Sequence, residues 1–149
     1  MNRSRVYGRD LTVGQEFGLG DYTLTKDDLV EFATRWDPQG FHIDEDVADA
    51  GVYRGLIASG IQSMAIMQRL SVLGAYDEWA MIAGKEVRQM SFLRPVRPGD
   101  VLTGTITVTG IEFDDRNRAL VETVSELRVG GKPVLRLEGS SYMHAAPTD

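Results

Sequence analysis

The feature that most constrains the fold of this chain is a period-two alternation of side chains through its C-terminal third. Apolar residues alternate with threonines over 102–109, and two further alternating runs cover 120–129 and 135–143. A period of two is the repeat of a β-strand, and one apolar side in each run indicates a sheet with one buried face. The turn sequences at 114–117 and 130–133 are short enough to join neighbouring strands as hairpins. The pattern therefore predicts an antiparallel sheet that needs a cover on one face.

A strongly apolar segment, residues 56–73, precedes these strands and can supply that cover. Its apolar side chains surround most of the helix circumference, so this helix is expected to be buried. A shorter amphipathic helix is indicated by four apolar side chains at helical spacing, Leu29, Phe32, Ala33 and Trp36. Pro38 should end that helix near Asp37, and residues 13–24 are typical of one strand or two short ones. The sequence predicts an α+β fold in which a five-stranded antiparallel sheet wraps around a long central helix.

The length and composition limit the classes of protein to be considered. With 149 residues, of which 42% are hydrophobic, the chain is expected to form one domain over residues 1–149. The net charge of −6 disfavours nucleic acid or an anionic membrane as a partner. Neither a membrane span nor a signal peptide is indicated, so a cytoplasmic location is expected. With no cysteine and two distant histidines, a thiolate nucleophile is excluded and no metal site is expected.

Candidate catalytic residues lie in the segment that follows the first predicted helix. Asp37 and His42 are five residues apart within W-D-P-Q-G-F-H-I-D, residues 36–44, and a carboxylate beside an imidazole can exchange protons near neutral pH. The apolar segment opens at Gly55, where a helix start would leave backbone N–H groups free to hold negative charge. Together these features indicate chemistry beside a carbonyl group. Each residue alone also has a structural explanation, Asp37 as a turn residue and Gly55 as permissive backbone.

Taken in order, these motifs resemble the MaoC-like branch of the hotdog-fold dehydratases, the group that includes the (R)-specific enoyl-CoA hydratases. The resemblance is carried by F-A-T-R-W-D-P-Q-G-F-H-I-D at 32–44, G-L-I-A-S-G at 55–60 and F-L-R-P-V-R-P-G-D at 92–100. It implies a hotdog fold and a hydro-lyase of fatty acid metabolism that adds water to, or removes it from, an acyl-CoA. It also implies a homodimer or dimer-based oligomer, with the CoA thioester as substrate and no separate cofactor.

Carried over position by position, the resemblance assigns catalysis to Asp37 and His42. It assigns contacts with the substrate to Gly55, Gln39, Ser63 and Trp36. Gln39 and Gly40 stand where the hydratase signature has Asn and Pro, so the pair is intact but kinship with the short-chain polyester-precursor hydratases is not implied. Trp36 is expected to pack in the core, with a wall of the acyl pocket as the alternative.

Three further expectations concern the surroundings of this pair. Ser59 is expected to bond back to a helix carbonyl. Three arginines are candidates for contacts with CoA phosphates, with a solvated strand edge as the favoured explanation for each taken singly: Arg88, Arg94 and Arg97. Burial of Asp37 by Trp36 and Phe41 is expected to raise the pKa of its carboxyl, and a protonated His42 nearby to lower that pKa again, so that the two groups titrate jointly. Two other functions stay open on this fold: an acyl-CoA thioesterase, disfavoured because residues 56–73 hold no Asp or Glu, and a non-catalytic acyl-CoA-binding protein.

Overall fold

The computed structural model describes residues 5–148, and the outermost residues of the expected domain, 1–4 and 149, lie outside the described part. The strands are β1 Glu16–Thr23, β2 Met81–Phe92, β3 Val101–Phe113, β4 Arg118–Val129 and β5 Lys132–His144. The α-helices are α1 Lys26–Trp36, α2 Gly40–Ile43, α3 Glu45–Ala50 and α4 Gly60–Ser71. A 3-10 turn covers Gly8–Asp10, and α4 continues into a π-helical turn over Val72–Tyr76.

The five strands form one antiparallel sheet in the order β1-β3-β4-β5-β2. The predicted hairpins are confirmed, and the β4–β5 turn uses Gly130 and Gly131 at φ of 56° and 77°, the left-handed conformation that a tight hairpin requires. The inward side chains of β3, β4 and β5 are almost fully buried, among them Leu102, Ile106, Val108, Leu127 and Leu135. The predicted α+β architecture is therefore confirmed, with α4 against the covered face of the sheet.

The central helix begins later than the sequence predicts. Residues 56–59 are not helical, because the backbone of Ile57 and Ala58 is held by other segments: Ala58 N–H donates to the carbonyl of Val96 at 2.8 Å. Ser59 then serves as N-cap, and its Oγ accepts from the N–H of Ile61 at 3.2 Å. Apolar periodicity alone cannot separate a buried extended segment from a buried helix. The predicted start at residue 56 is wrong, and α4 starts at Gly60.

The chain between α1 and α4 places the candidate residues at one end of the sheet. The helix α1 ends at Trp36, as Pro38 predicts. The segment that follows folds into α2 and α3, and Asp44 caps α3 by accepting from the N–H groups of Asp46 and Val47. This capped, compact connection carries residues 37–42 back toward the N-terminus of α4. No helix within residues 5–148 combines the length and apolarity needed to span a bilayer.

Candidate active site

The structure brings Asp37 and His42 together. The Nε2 atom of His42 lies 3.3 Å from Oδ2 of Asp37. His42 is only 4% exposed, because α2 places its side chain under the segment that leads into α4. The pairing that the spacing predicted is present in the geometry.

The ring of His42 is oriented by a backbone carbonyl. Its Nδ1 lies 2.6 Å from the carbonyl oxygen of Ile57, and because a carbonyl only accepts, Nδ1 carries a hydrogen. When the ring is protonated, Nε2–H donates to Asp37; in the neutral imidazole Nε2 is an acceptor that faces the adjoining cavity. This arrangement leaves Nε2 as the atom that can take or give a proton.

Asp37 is surrounded by hydrogen-bond donors. Gln39 Nε2 donates to Oδ1 at 2.8 Å, and Ser59 Oγ donates to Oδ2 at 2.7 Å. Donors from Gln39 first and Ser59 second hold the pKa of the Asp37 carboxyl below its usual range, and they outweigh the opposing effect of burial. The expectation of a raised pKa is wrong, because the carboxylate is half-buried and doubly hydrogen-bonded. Asp37 is thus a carboxylate throughout the neutral range.

Ser59 has a different role from the one expected. It does not bond back to a helix carbonyl, because its hydroxyl hydrogen is donated to Asp37 while its oxygen caps α4. The side chain is fully buried. Ser59 therefore joins the acid of the pair to the first turn of the central helix, a link that local sequence rules do not predict.

The pair opens into a cavity of about 360 Å³ at the N-terminus of α4. Its polar lining comes from Asp37, Gln39, His42, Ser63 and Arg94, and its apolar lining includes Ile57, Ile61, Phe92, Leu93 and Val134. Gln39 and Ser63, two of the four residues to which the resemblance assigns substrate contacts, thus line the same cavity as the pair. Within residues 5–148 the acidic and histidine side chains nowhere group in a way that could hold a metal ion.

Gly60, rather than Gly55, occupies the helix start beside the pair. The N–H of Gly55 is already donated to the carbonyl of Ala48 at 3.0 Å, and Gly55 does not line the cavity. Gly60 lines it, and its N–H has no protein acceptor within the described residues. A Cβ at Gly60 would lie 2.4 Å from the ring of Phe92. The free N–H at the helix start, expected at Gly55, therefore lies five residues further along the chain, because the helix starts at Gly60.

Of the residues expected to contact the substrate or its phosphates, Arg94 lines the cavity, whereas Trp36, Arg88 and Arg97 do not. Trp36 is 63% exposed, stacks on Arg35 and does not line the cavity, so its placement in the core is wrong. Arg94 lines the cavity and donates to the carbonyl of Pro133 at 2.7 Å. Arg97 does not line the cavity, although it donates to the backbone carbonyl of Tyr53, a residue that does.

Arg88 does not line the cavity either. It pairs with Glu86 and Glu122 across the outer side of the sheet. The charge of Arg88 is therefore paired with carboxylates of the sheet. Of the three arginines, Arg94 lines the cavity.

The chain is similar to several known proteins. The chain is 36% identical over 130 residues to an uncharacterized Bacillus subtilis protein, YdeM, covering 87% of this chain and 92% of that protein. It is 30% identical over 140 residues to the (R)-specific enoyl-CoA hydratase of Rhodospirillum rubrum, covering 93% of this chain and 92% of the relative. The crystal structure of a MaoC-like dehydratase from Rhodospirillum rubrum superposes with a TM-score of 0.87 at 31% identity, covering 96% of this chain and 99% of that one.

The fold and the family agree with the resemblance drawn from the motifs. Superposition on solved R-hydratases confirms the hotdog fold. A model of the MaoC like domain matches residues 10–129, most of the chain and all three of the motifs that carry the resemblance. This chain therefore belongs to the MaoC-like dehydratase family.

Proposed function

We propose that the protein is a hydro-lyase that adds water across the double bond of a trans-2-enoyl-CoA, or removes water from the corresponding 3-hydroxyacyl-CoA. The observation that carries the proposal is the Asp37–His42 pair, 3.3 Å apart at the wall of a cavity that also receives the N-terminus of α4. The name of the Rhodospirillum rubrum relative, an (R)-specific enoyl-CoA hydratase, supports the same class of reaction.

The pair supplies both proton steps of a hydration. Asp37 and the Nε2 atom of His42 both present acceptors, so one water molecule can donate a hydrogen to each. His42 takes a proton as the water oxygen bonds to the β-carbon, and Asp37 stabilises the imidazolium that forms. The same proton is then returned to the α-carbon, so the product carries both hydrogens of the water. A positioned acid–base group of this kind contributes about 10²–10⁴-fold to rate.

The first turn of α4 stabilises the charge that this step creates. Addition at the β-carbon moves electrons onto the thioester oxygen, and a free N–H at the start of a helix is directed toward such an oxygen. Gly60 supplies that N–H beside the pair, and the dipole of the twelve-residue helix adds to it. One donor of this kind is worth roughly 10²–10³-fold in turnover.

Arg94 supports the choice of a CoA thioester as substrate. It lines the cavity with its guanidinium anchored on the carbonyl of Pro133. A guanidinium has five N–H donors in a planar fork that suits phosphate, so donors remain for the phosphates of CoA at the cavity mouth. The proposal is that CoA enters past Arg94, with the acyl carbons directed to His42.

A homodimer is part of the proposal. The strand β2 lies at one edge of the sheet, and most of its side chains are exposed on both faces, including Ile82 and Val87 at 43% and 50%. Twelve residues of open, partly apolar edge are a surface that proteins rarely leave uncovered. Pairing with β2 of a second copy would cover this edge and enclose the cavity.

One incubation separates this function from the two alternatives. The protein is mixed with trans-2-enoyl-CoAs of several lengths and with saturated acyl-CoAs, and absorbance of the conjugated double bond and release of free thiol are followed separately. Loss of absorbance without thiol release is expected. Thiol release from saturated acyl-CoA would instead establish a thioesterase, and binding without either change would establish a non-catalytic protein. Asp37→Asn should abolish the absorbance loss, whereas the matched control Asp46→Asn, on the exposed face of α3, should retain it.

A further inference from the structure

A second hydrogen-bond donor lies near the start of α4 and is open to the active-site cavity: the hydroxyl of Ser63. Ser63 lines the cavity together with Gly60 and His42, and the residue is 5% exposed. Its Oγ has no hydrogen-bond partner within residues 5–148. The side-chain atoms that are sealed from solvent without a partner in this part of the chain are Gln62 Oε1 and Ser140 Oγ. Ser63 Oγ is not one of them, so it keeps access to the cavity.

Ser63 does not make the backbone hydrogen bond that a serine hydroxyl commonly makes inside a helix. Such a hydroxyl donates to the carbonyl four residues earlier, as Ser71 of the same helix does to Met67 at 2.8 Å. For Ser63 that carbonyl belongs to Ser59, and it already accepts the N–H of Gln62 at 3.0 Å and that of Ser63 at 3.2 Å. A carbonyl oxygen has two lone pairs, so none is left for the hydroxyl. The hydrogen of this hydroxyl is therefore available to a ligand.

Helix geometry directs the hydroxyl toward the N–H of Gly60. Side chains of an α-helix tilt toward its N-terminus and lie over the residues three and four positions earlier, which for Ser63 are Gly60 and Ser59. No side chain stands between the two donors, because residue 60 is a glycine. Helix positions three apart are separated by about 5–6 Å. One oxygen about 2.7–3.1 Å from each of two donors spans a similar distance, so a single ligand oxygen can accept from both.

The cavity wall beside these donors is apolar. The ring of Phe92 packs on Gly60 so closely that a Cβ there would lie 2.4 Å from it. Other apolar side chains of the lining are Ile57, Ile61, Leu93 and Val134. A fixed donor stabilises a developing negative charge more strongly in apolar surroundings than in water. The position of Ser63 therefore suits an oxygen that gains charge during a reaction.

We infer, on the basis of the proposed function, that the hydroxyl of Ser63 donates to the thioester oxygen of the substrate and forms a two-donor oxyanion hole with the N–H of Gly60. As the water oxygen bonds to the β-carbon, electrons of the double bond move onto the thioester oxygen. Ser63 stabilises that oxygen through a hydrogen bond and keeps its own proton. Both proton transfers stay with His42, so Ser63 is a catalytic residue of a different kind.

The first test observes the thioester carbonyl in a ligand that has no double bond to hydrate. Butyryl-CoA labelled with ¹³C at the carbonyl is bound to the full chain, and the infrared difference from the unlabelled ligand isolates the carbonyl stretch. A hydrogen bond to the oxygen weakens the C=O bond, so binding should lower the frequency. Ser63→Thr keeps the hydroxyl and should keep this shift, whereas Ser63→Val, of the same shape, should lose part of it. Ser71→Ala, which removes a hydroxyl bonded to Met67, should match the unmodified protein.

Kinetics separate a donor to the transition state from a group that only binds the substrate. With crotonyl-CoA, Ser63→Val should lower kcat about 10²-fold relative to Ser63→Thr with little change in KM, because the charge on the oxygen develops only in the transition state. Ser63→Ala gives the same comparison with the unmodified protein, and alanine is the better helix former. If thermal melting shows that the valine variant is unstable, the alanine variant carries both measurements.

The outcomes separate the second donor from the reaction. A carbonyl frequency that is equal in Ser63→Thr and Ser63→Val, and equal in Ser63→Ala and the unmodified protein, would overturn the inference. A loss confined to KM would overturn it as well. A shift that depends on Ser63, without hydration of any enoyl-CoA, would support the donor and refute the hydro-lyase. Hydration with a carbonyl frequency that does not depend on Ser63 would do the reverse.

Discussion

Replacement of Ser59 by alanine tests the link between the catalytic carboxylate and the central helix. The change removes two hydrogen bonds, the one donated to Asp37 Oδ2 at 2.7 Å and the one accepted from the N–H of Ile61 at 3.2 Å. Loss of an N-cap costs about 1 kcal/mol, and a hydrogen bond to a charged group about 1.5–3 kcal/mol. For the bond to Asp37 the lower end of this range, about 1.5 kcal/mol, applies, because Gln39 and solvent still reach the carboxylate. Ser59→Ala should therefore lower the free energy of unfolding by roughly 2–3 kcal/mol at neutral pH.

The pH dependence identifies which part of this loss belongs to Asp37. Its pKa is lowered in the folded state, so the stability that it contributes is present above its unfolded pKa and is lost as the pH falls through its folded pKa. Ser59→Ala raises the folded pKa of Asp37. The difference in stability between the unmodified protein and the variant should thus shrink toward the cap contribution of about 1 kcal/mol in acid.

The assay is urea denaturation between pH 7 and pH 3, together with an NMR titration of the Asp37 carboxyl carbon. Ser71→Ala is the matched control, because it also removes a buried hydroxyl from the same helix, but one that donates to the carbonyl of Met67 and touches no carboxylate. The control should show a stability loss that is independent of pH. A Ser59→Ala loss that is equally large at both pH values, with an unchanged Asp37 titration, would refute the reasoning.

Four further predictions follow from the site. Asp37→Asn and His42→Ala should each lower kcat by about 10²–10⁴-fold with native melting behaviour, and the double variant should be scarcely worse than the worse single one; additive losses would contradict a shared step. Gly60→Ala, whose Cβ would lie 2.4 Å from the ring of Phe92, should lower kcat/KM for enoyl-CoA in steady-state assays. Gly55→Ala, at φ of 150°, should cost about 1–3 kcal/mol of stability with little change in kcat. A larger loss of kcat/KM in Gly55→Ala than in Gly60→Ala would instead place Gly55 in the site. Light scattering at micromolar concentration should show a dimer, and a stable, active monomer would exclude a site completed by a second copy.

The sequence determined the parts of this protein that depend on neighbouring residues. Alternation over residues 102–109 and 120–129 specifies strands, because side chains two apart share a face. The turns at 114–117 and 130–133 are short enough only for hairpins. The end of α1 follows from Pro38, whose ring disfavours helix in the residue before it. The Asp37–His42 spacing likewise pointed to the pair that the fold brings within 3.3 Å.

Only the tertiary structure decided where the central helix begins and which groups surround Asp37. Residues 56–59 have helix-like apolar content, but their backbone bonds to segments distant in sequence, including Val96, so the free N–H lies at Gly60 and not at Gly55. The pKa of Asp37 is lowered and not raised, because Gln39 donates to its carboxylate and Ser59, twenty-two residues away, donates to it as well, while Trp36 is turned to solvent. Contacts between residues far apart in the chain depend on the relative placement of whole elements, and local patterns carry no information about that placement.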